Sequence, residues 1–159
     1  MKKKKRVILP GSYDPVTLGH LDIIRRASLE FEEVFAVIFT NPEKSYTFSL
    51  EERVKMLILA TDELENVIVS YSNGLVIDYM REHEIELIVK GIRNDADREY
   101  EKRQEEWNFA HGGYPTEYFL ADEALAHVSS TAAREAIKRG EALEALLPKK
   151  VIEFIEGNK

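Results

Sequence analysis

Residues 10–20 read Pro10-Gly11-Ser12-Tyr13-Asp14-Pro15-Val16-Thr17-Leu18-Gly19-His20, and they hold the groups in this chain best suited to bind an anion. Ser12 offers a hydroxyl, His20 a ring that can donate or accept, and Gly11 a backbone open to close approach. The apolar run Val7-Ile8-Leu9 precedes them and an amphipathic stretch from Leu21 to Phe31 follows. That order predicts a strand, a tight turn, and a helix capped by Thr17 with a histidine in its first turn. Unpaired N–H groups and the positive dipole end of such a helix favour a bound anion, phosphate above all.

Three further loops carry chemistry of the same kind. In Thr40–Phe48, Lys44 is the only cation. Taken alone it reads as a solvated charge, but its place after a second strand lets it reach a site at the strand ends. Lys90-Gly91-Ile92-Arg93 follows the apolar run Leu87–Val89 and offers a point charge and a forked guanidinium, both suited to phosphate. Surface pairing of Arg93 with Asp95 or Asp97 is the competing reading. Val128-Ser129-Ser130-Thr131 opens another helix, with Ser130 as its expected N-cap, and makes a second cradle of hydroxyl and N–H groups. No H-E-x-x-H, G-x-S-x-G or ligand-spaced metal cluster is present. His83 lies on a polar stretch, His111 sits beside Gly112-Gly113 in an expected loop, and His127 is near the site without an evident partner; none is assigned a catalytic role.

Positioning these loops requires an α/β framework. Apolar, β-branched runs recur at Val7–Leu9, Val34–Thr40, Val67–Ser70, Leu87–Val89 and Tyr118–Leu120. Several are continuous, as in strands covered on both faces. Helical patterns separate them. One face is Leu21, Ile24, Ala27 and Phe31; a second is Leu50, Val54, Leu57, Ile58, Thr61 and Leu64, started by a Ser49/Glu52 capping box; a third is Leu75, Val76, Tyr79 and Met80. A charged helix is expected over Asp97–Phe109, another over Thr131–Arg139 ending at Gly140, and a last one after Pro148. The alternation predicts one Rossmann-like domain over residues 1–159, a doubly wound, five-stranded parallel sheet with helices on both faces. Ligands of such sheets sit beyond the carboxyl ends of the strands, at the switch point.

Composition narrows the partners. With 29 acidic and 22 basic residues the net charge is −7, which argues against nucleic acid and requires cations to be gathered locally for an anionic ligand. The absence of cysteine excludes disulfides and thiolate metal sites and fits a cytoplasmic location. Residues 1–6, Met1-Lys2-Lys3-Lys4-Lys5-Arg6, read as a solvated basic tail. The apolar run behind them is shorter than the roughly 7–15 residues of a secretory signal, and no segment is long enough for a membrane span.

The T-x-G-H spacing at a strand-to-helix junction resembles the signature of nucleotidyltransferases with a T/H-x-G-H motif. Taken with Lys44, Phe48-Ser49-Leu50-Glu51-Glu52-Arg53, Gly91-Ile92-Arg93, Asp97, Glu99-Tyr100-Glu101 and Ser129-Ser130-Thr131 before Arg134, the chain from Val7 to about Ile155 is similar to the bacterial-type phosphopantetheine adenylyltransferases. Thr17 in place of histidine sets it apart from pyridine-nucleotide and glycerol-phosphate relatives. The resemblance implies adenylyl transfer from ATP to 4′-phosphopantetheine, giving dephospho-coenzyme A and pyrophosphate, in coenzyme A biosynthesis. It implies Mg²⁺ held mainly by nucleotide phosphates and water, and a homohexamer. It assigns ATP to Ser12, Tyr13, His20, Gly91, Ile92, Arg93, Glu101 and the turn Leu125-Ala126-His127-Val128-Ser129-Ser130-Thr131. Phosphopantetheine falls to Ser12, Lys44, Leu75, Val76 and Lys90, and the catalytic groups are Ser12, His20, Lys44 and Arg93. This chain departs from the family pattern at Lys90, where arginine is usual, at Leu125-Ala126-His127, where an aromatic-Ser-Phe run is usual, and at Arg98, where an aromatic is usual.

Overall fold

The computed structural model describes residues 2–158. Five strands, β1 (Lys3–Gly11), β2 (Phe31–Phe39), β3 (Val67–Ser72), β4 (Leu87–Ile92) and β5 (Thr116–Leu120), form one sheet in the order β3-β2-β1-β4-β5. Every neighbouring pair is parallel. The order reverses between β1 and β4, which puts the switch point between the 10–20 and 90–98 loops.

The pleat divides the core in two. Val7 and Leu9 of β1, Val34, Ala36 and Ile38 of β2, and Leu87 and Val89 of β4 face one apolar cluster. The residues between them, Ile8, Phe35, Val37 and Ile88, face the other. The first cluster is covered by α1 (Leu18–Glu30), α2 (Leu50–Thr61), α5 (Ser130–Arg139) and α6 (Lys149–Gly157). The second is covered by Tyr79 and Met80 of α3 (Val76–His83). With both faces covered, the stretches Val7–Leu9, Val34–Ile38 and Leu87–Val89 read as continuous apolar runs, because neither alternate set of their side chains meets water, whereas Ile68 and Tyr71 of the edge strand β3 are exposed.

Several boundaries differ from the sequence reading. The basic tail is strand from Lys3 onward; Lys3 bonds Glu30 at 3.0 Å, Arg6 reaches the His83 carbonyl at 2.7 Å, and Met1 lies outside the described residues. The helix expected to run to Phe31 ends at Glu30, and β2 begins directly at Phe31. Arg53, Met56, Leu57 and Thr61 form the buried face of α2, whereas Ile58 is exposed, so that face is rotated from the one drawn by the aliphatic residues alone. The charged helix α4 extends over Asp95–Gly112, capped by Asn94 and ended by Gly113 at φ 74°. Of its residues only Asn108 is buried, so its sequence carries almost no apolar periodicity from which to read its limits. Ser129, not Ser130, caps α5, accepting from the Ala132 N–H at 3.0 Å.

Candidate functional site

At the switch point the loop after β1 is fixed by its own side chains. Tyr13 has φ 48°, a left-handed conformation that costs a bulky residue about 1–3 kcal/mol. Its buried ring offsets that cost, donating from the hydroxyl to the Leu9 carbonyl at 2.8 Å and packing 4.9 Å from the His20 ring. A Cβ on Gly11 would stand 3.3 Å from the Tyr13 ring, so this glycine makes room for Tyr13. The Asp14-Pro15 peptide is cis. The buried Asp14 carboxylate accepts from the Thr47 and Phe48 N–H groups, both at 2.9 Å, tying this loop to the one after β2. On the other side Arg134 donates to the Asp14 carbonyl and Ser130 to the Pro15 carbonyl, each at 2.8 Å, which docks α5 against the same loop.

Thr17 caps α1 as expected and does so reciprocally with His20. The His20 N–H donates to Thr17 Oγ1 at 3.2 Å, and the Thr17 N–H donates to His20 Nδ1 at 3.0 Å. A nitrogen that accepts carries no proton, so the neutral ring carries its proton on Nε2. Burial pushes the His20 pKa down from 6.5 to about 4. The ring is therefore a neutral hydrogen-bond donor near pH 7.

The end of β4 and the turn after it supply the cations, and the start of α4 supplies their partners. Lys90 Nζ meets Glu101 Oε2 at 2.5 Å, and both side chains are mostly buried. Arg93 pairs with Asp97 through Nε at 2.9 Å and one terminal nitrogen at 3.2 Å, and its N–H also donates to that carboxylate. The hydrogen bond from Arg93 holds the Asp97 carboxyl below its usual range, and Asp97 raises Arg93. Asp97 and Glu101 are four residues apart and share one helical face, so one side of α4 holds both cations of the loop. The pairing of Arg93 with Asp97 weighed in the sequence is present, and Lys90 pairs with Glu101. A Cβ on Gly91 would stand 2.7 Å from Ile23 Cγ1, so Gly91 admits α1 rather than only a ligand.

These elements enclose a cleft of about 450 Å³. From the β1 side Tyr13, Thr17 and His20 line it, and from the β4 side Lys90, Gly91, Ile92, Arg93 and Glu101. Leu125, Val128, Ser129, Ser130 and Thr131 close it. Asp97 and Tyr100 also line it, although the sequence reading gave neither a ligand role. The remaining expected residues, Ser12, Lys44, Leu75, Val76, Ala126 and His127, stand outside that lining. Ser12 and Lys44 are exposed on the neighbouring loops, and Leu75, half exposed, precedes the first turn of α3. Among the described residues no group of three or more His, Asp or Glu side chains could hold a metal ion.

Arg53, the largest of the fully buried side chains, was given no role in the sequence reading. Its guanidinium donates to the Phe48 carbonyl at 3.1 Å and the Ser12 carbonyl at 3.0 Å. The available signal was its spacing: Arg53 lies three and four residues before Met56 and Leu57, on the buried stripe of α2.

A parallel α/β sheet whose switch-point cleft combines a helix N-terminus, a neutral histidine donor, paired cations and a second helix N-terminus defines a nucleotide-phosphate-handling domain of the nucleotidyltransferase class. Residues 8–136 match the model of the cytidylyltransferase-like family. A structure described as a nicotinate-nucleotide adenylyltransferase from Vibrio parahaemolyticus superposes with a TM-score of 0.70 over 96% of this chain and 93% of that one; at 18% identity it supports the fold alone. The phosphopantetheine adenylyltransferase of Clostridium novyi is 38% identical over 93% of this chain and 92% of its own length. That of Corynebacterium efficiens is 40% identical over 95% and 96%, and that of Symbiobacterium thermophilum 42% over 90% and 89%. The chain belongs to the phosphopantetheine adenylyltransferase family, within the cytidylyltransferase-like nucleotidyltransferases.

Proposed function

We propose that this chain transfers the adenylyl group of ATP to 4′-phosphopantetheine, releasing pyrophosphate and forming dephospho-coenzyme A. An oxygen of the acceptor phosphate attacks the α-phosphorus of ATP, the bond from that phosphorus to the bridging oxygen breaks, and pyrophosphate departs with the electron pair. Nucleophile and leaving group are already anions, so positioning and charge stabilisation carry the rate, and no acid–base pair is required. The observation that carries this reading is the His20–Thr17 arrangement, which presents a neutral Nε2–H donor at the helix N-terminus lining the cleft.

ATP binds from Tyr13 and His20 across Gly91, Ile92 and Arg93 to the second cradle at Ser129–Thr131, from which pyrophosphate leaves. Glu101 and the 125–128 turn flank the nucleotide. Lys44 and Ser12 meet the acceptor and α-phosphates, Lys90 holds the acceptor phosphate, and Leu75 and Val76 border the pantetheine arm. In this reading Mg²⁺ arrives on the nucleotide, held mainly by its phosphates and by water, and the hydroxyls of Ser129 and Ser130 and the cations Lys90 and Arg93 lining the cleft suit an ion already carried by phosphate oxygens. When bound, the ion neutralises phosphate charge. Assembly is homohexameric and the location cytoplasmic in this reading. The absence of cysteine supports the location, and exposed Tyr100, Trp107 and Phe109 on the thinly packed α4 are available for contact between copies.

An acceptor panel tests the proposal. With ATP and Mg²⁺, pyrophosphate release should require phosphopantetheine, while pantetheine, nicotinate mononucleotide and glycerol phosphate should give none. Equal release with nicotinate mononucleotide would move the chain to another acceptor class.

A further inference from the structure

Arg53 is almost fully buried, yet none of the ion pairs among the described residues includes it. A buried cation without a counter-charge is unfavourable, and an apolar side chain of similar length would fill the site at less cost. Here the charge is met by two backbone carbonyls and an aromatic face. Its guanidinium donates to the Ser12 carbonyl at 3.0 Å and the Phe48 carbonyl at 3.1 Å and lies 3.9 Å from the centre of the Tyr46 ring. The Tyr46 hydroxyl in turn accepts from the Asn41 N–H at 2.9 Å. Asp14 bonds the Thr47 and Phe48 N–H groups beside it. The segment from Asn41 to Phe48 is thereby closed at both ends, with Lys44 between them and its own N–H donating to the Asn41 carbonyl at 3.0 Å.

We propose that Arg53 is a positioning residue for the transfer: with Tyr46 it cross-links the loop carrying Lys44 to the loop carrying Ser12 and fixes the spacing between the two acceptor-side groups. The inference rests on the reading that Lys44 and Ser12 meet the acceptor and α-phosphates. Arg53 is almost fully buried and does not line the cleft. The ATP-side groups His20 and Arg93 make their bonds to Thr17 and Asp97, outside this cross-link. Loss of Arg53 should therefore lower kcat and leave KM for ATP nearly unchanged, because geometry needed at the transition state is lost while nucleotide binding is kept.

Four variants test this: Arg53→Met, Arg53→Lys, Tyr46→Leu and, as control, Lys44→Ala. Each is measured by steady-state kinetics, melting temperature and amide hydrogen exchange of the 40–49 segment. The expected result is faster exchange in that segment for Arg53→Met and Tyr46→Leu. Turnover should fall at least about tenfold in Arg53→Met and severalfold in Tyr46→Leu, with KM for ATP within about twofold of wild type. Arg53→Lys keeps the charge but not the fork and should fall between wild type and Arg53→Met. Should Arg53→Met not fold, the half-buried Tyr46→Leu carries the test. A lowered melting temperature with unchanged turnover in folded variants, or unchanged exchange over 40–49, would overturn the inference while collapse of turnover in Lys44→Ala leaves the acceptor-side reading standing. Wild-type turnover in Lys44→Ala would instead overturn that reading, and with it the catalytic purpose of the cross-link.

Discussion

Replacing His20 offers the sharpest perturbation of this cleft, because the structure specifies both its proton and its charge. Nδ1 accepts the Thr17 N–H, which leaves the single proton of the neutral ring on Nε2. With a pKa of about 4 the ring stays neutral across the working range. A donor to a charged phosphate is worth about 1.5–3 kcal/mol, so His20→Ala should slow turnover about 10- to 150-fold. His20→Gln, whose amide nitrogen reaches nearly as far as Nε2, should recover part of that loss; Asn, shorter by one methylene, should recover less. Turnover followed from about pH 5.5 to 8 should show no ionisation belonging to His20. The same pKa makes a stability prediction. Between pH 6.5 and about 4 the unfolded ring binds a proton that the native ring refuses, so stability is fully present above 6.5 and is lost as the pH falls through that window. The ceiling is about 3 kcal/mol, reduced toward about 1 kcal/mol by the opening of the ring to the cleft. The assay is the difference between wild-type and His20→Gln unfolding free energies at neutral pH and near pH 4.5. A turnover ionisation between about pH 6 and 7 that vanishes in His20→Gln, with no rescue by the amide, would show a general base and refute the donor assignment.

Other variants probe the remaining groups. Lys44→Ala should lower kcat by several orders of magnitude while ATP still protects against thermal unfolding; normal turnover would remove Lys44 from the mechanism. If Lys90 holds the acceptor phosphate, Lys90→Ala should raise KM for phosphopantetheine about ten- to a hundredfold, with a much smaller change for ATP. Lys90→Arg should keep activity, and equal KM values in both variants and wild type would show a purely structural ion pair. Gly91→Ala forces a methyl against the buried Ile23 and should cost about 1–3 kcal/mol, read as a melting temperature lower by several degrees; an unchanged melting temperature would contradict the contact.

The parts of this molecule legible in the sequence are those governed by local patterning. The Thr17 cap and the Ser49/Glu52 capping box lie where short-range hydrogen-bond chemistry puts them, although the reciprocal bond from the Thr17 N–H to His20 was not read, and the apolar runs became the five parallel strands. The loops at the carboxyl ends of the strands followed from the alternation of strand and helix along the chain. Long-range partners were hidden. Nothing in the spacing of Lys90 and Glu101, eleven residues apart, declares their ion pair, because it depends on how α4 folds back over β4. Arg53 was obscured by its type: an arginine on a helix is ordinarily solvated, and only the tertiary meeting of Ser12, Tyr46 and Phe48 draws it inside. Gly91 was assigned to ATP by resemblance, whereas its missing Cβ also serves the packing of Ile23.

The central claim is that this cleft joins the adenylyl group of ATP to the phosphate of phosphopantetheine. It is tested most directly by incubating the purified chain with ATP, Mg²⁺ and 4′-phosphopantetheine and following the product by mass. Dephospho-coenzyme A should accumulate in step with pyrophosphate, with neither product from the Lys44→Ala variant beyond a small residue. Intact phosphopantetheine after many turnover times, or ATP consumed without dephospho-coenzyme A, would contradict it.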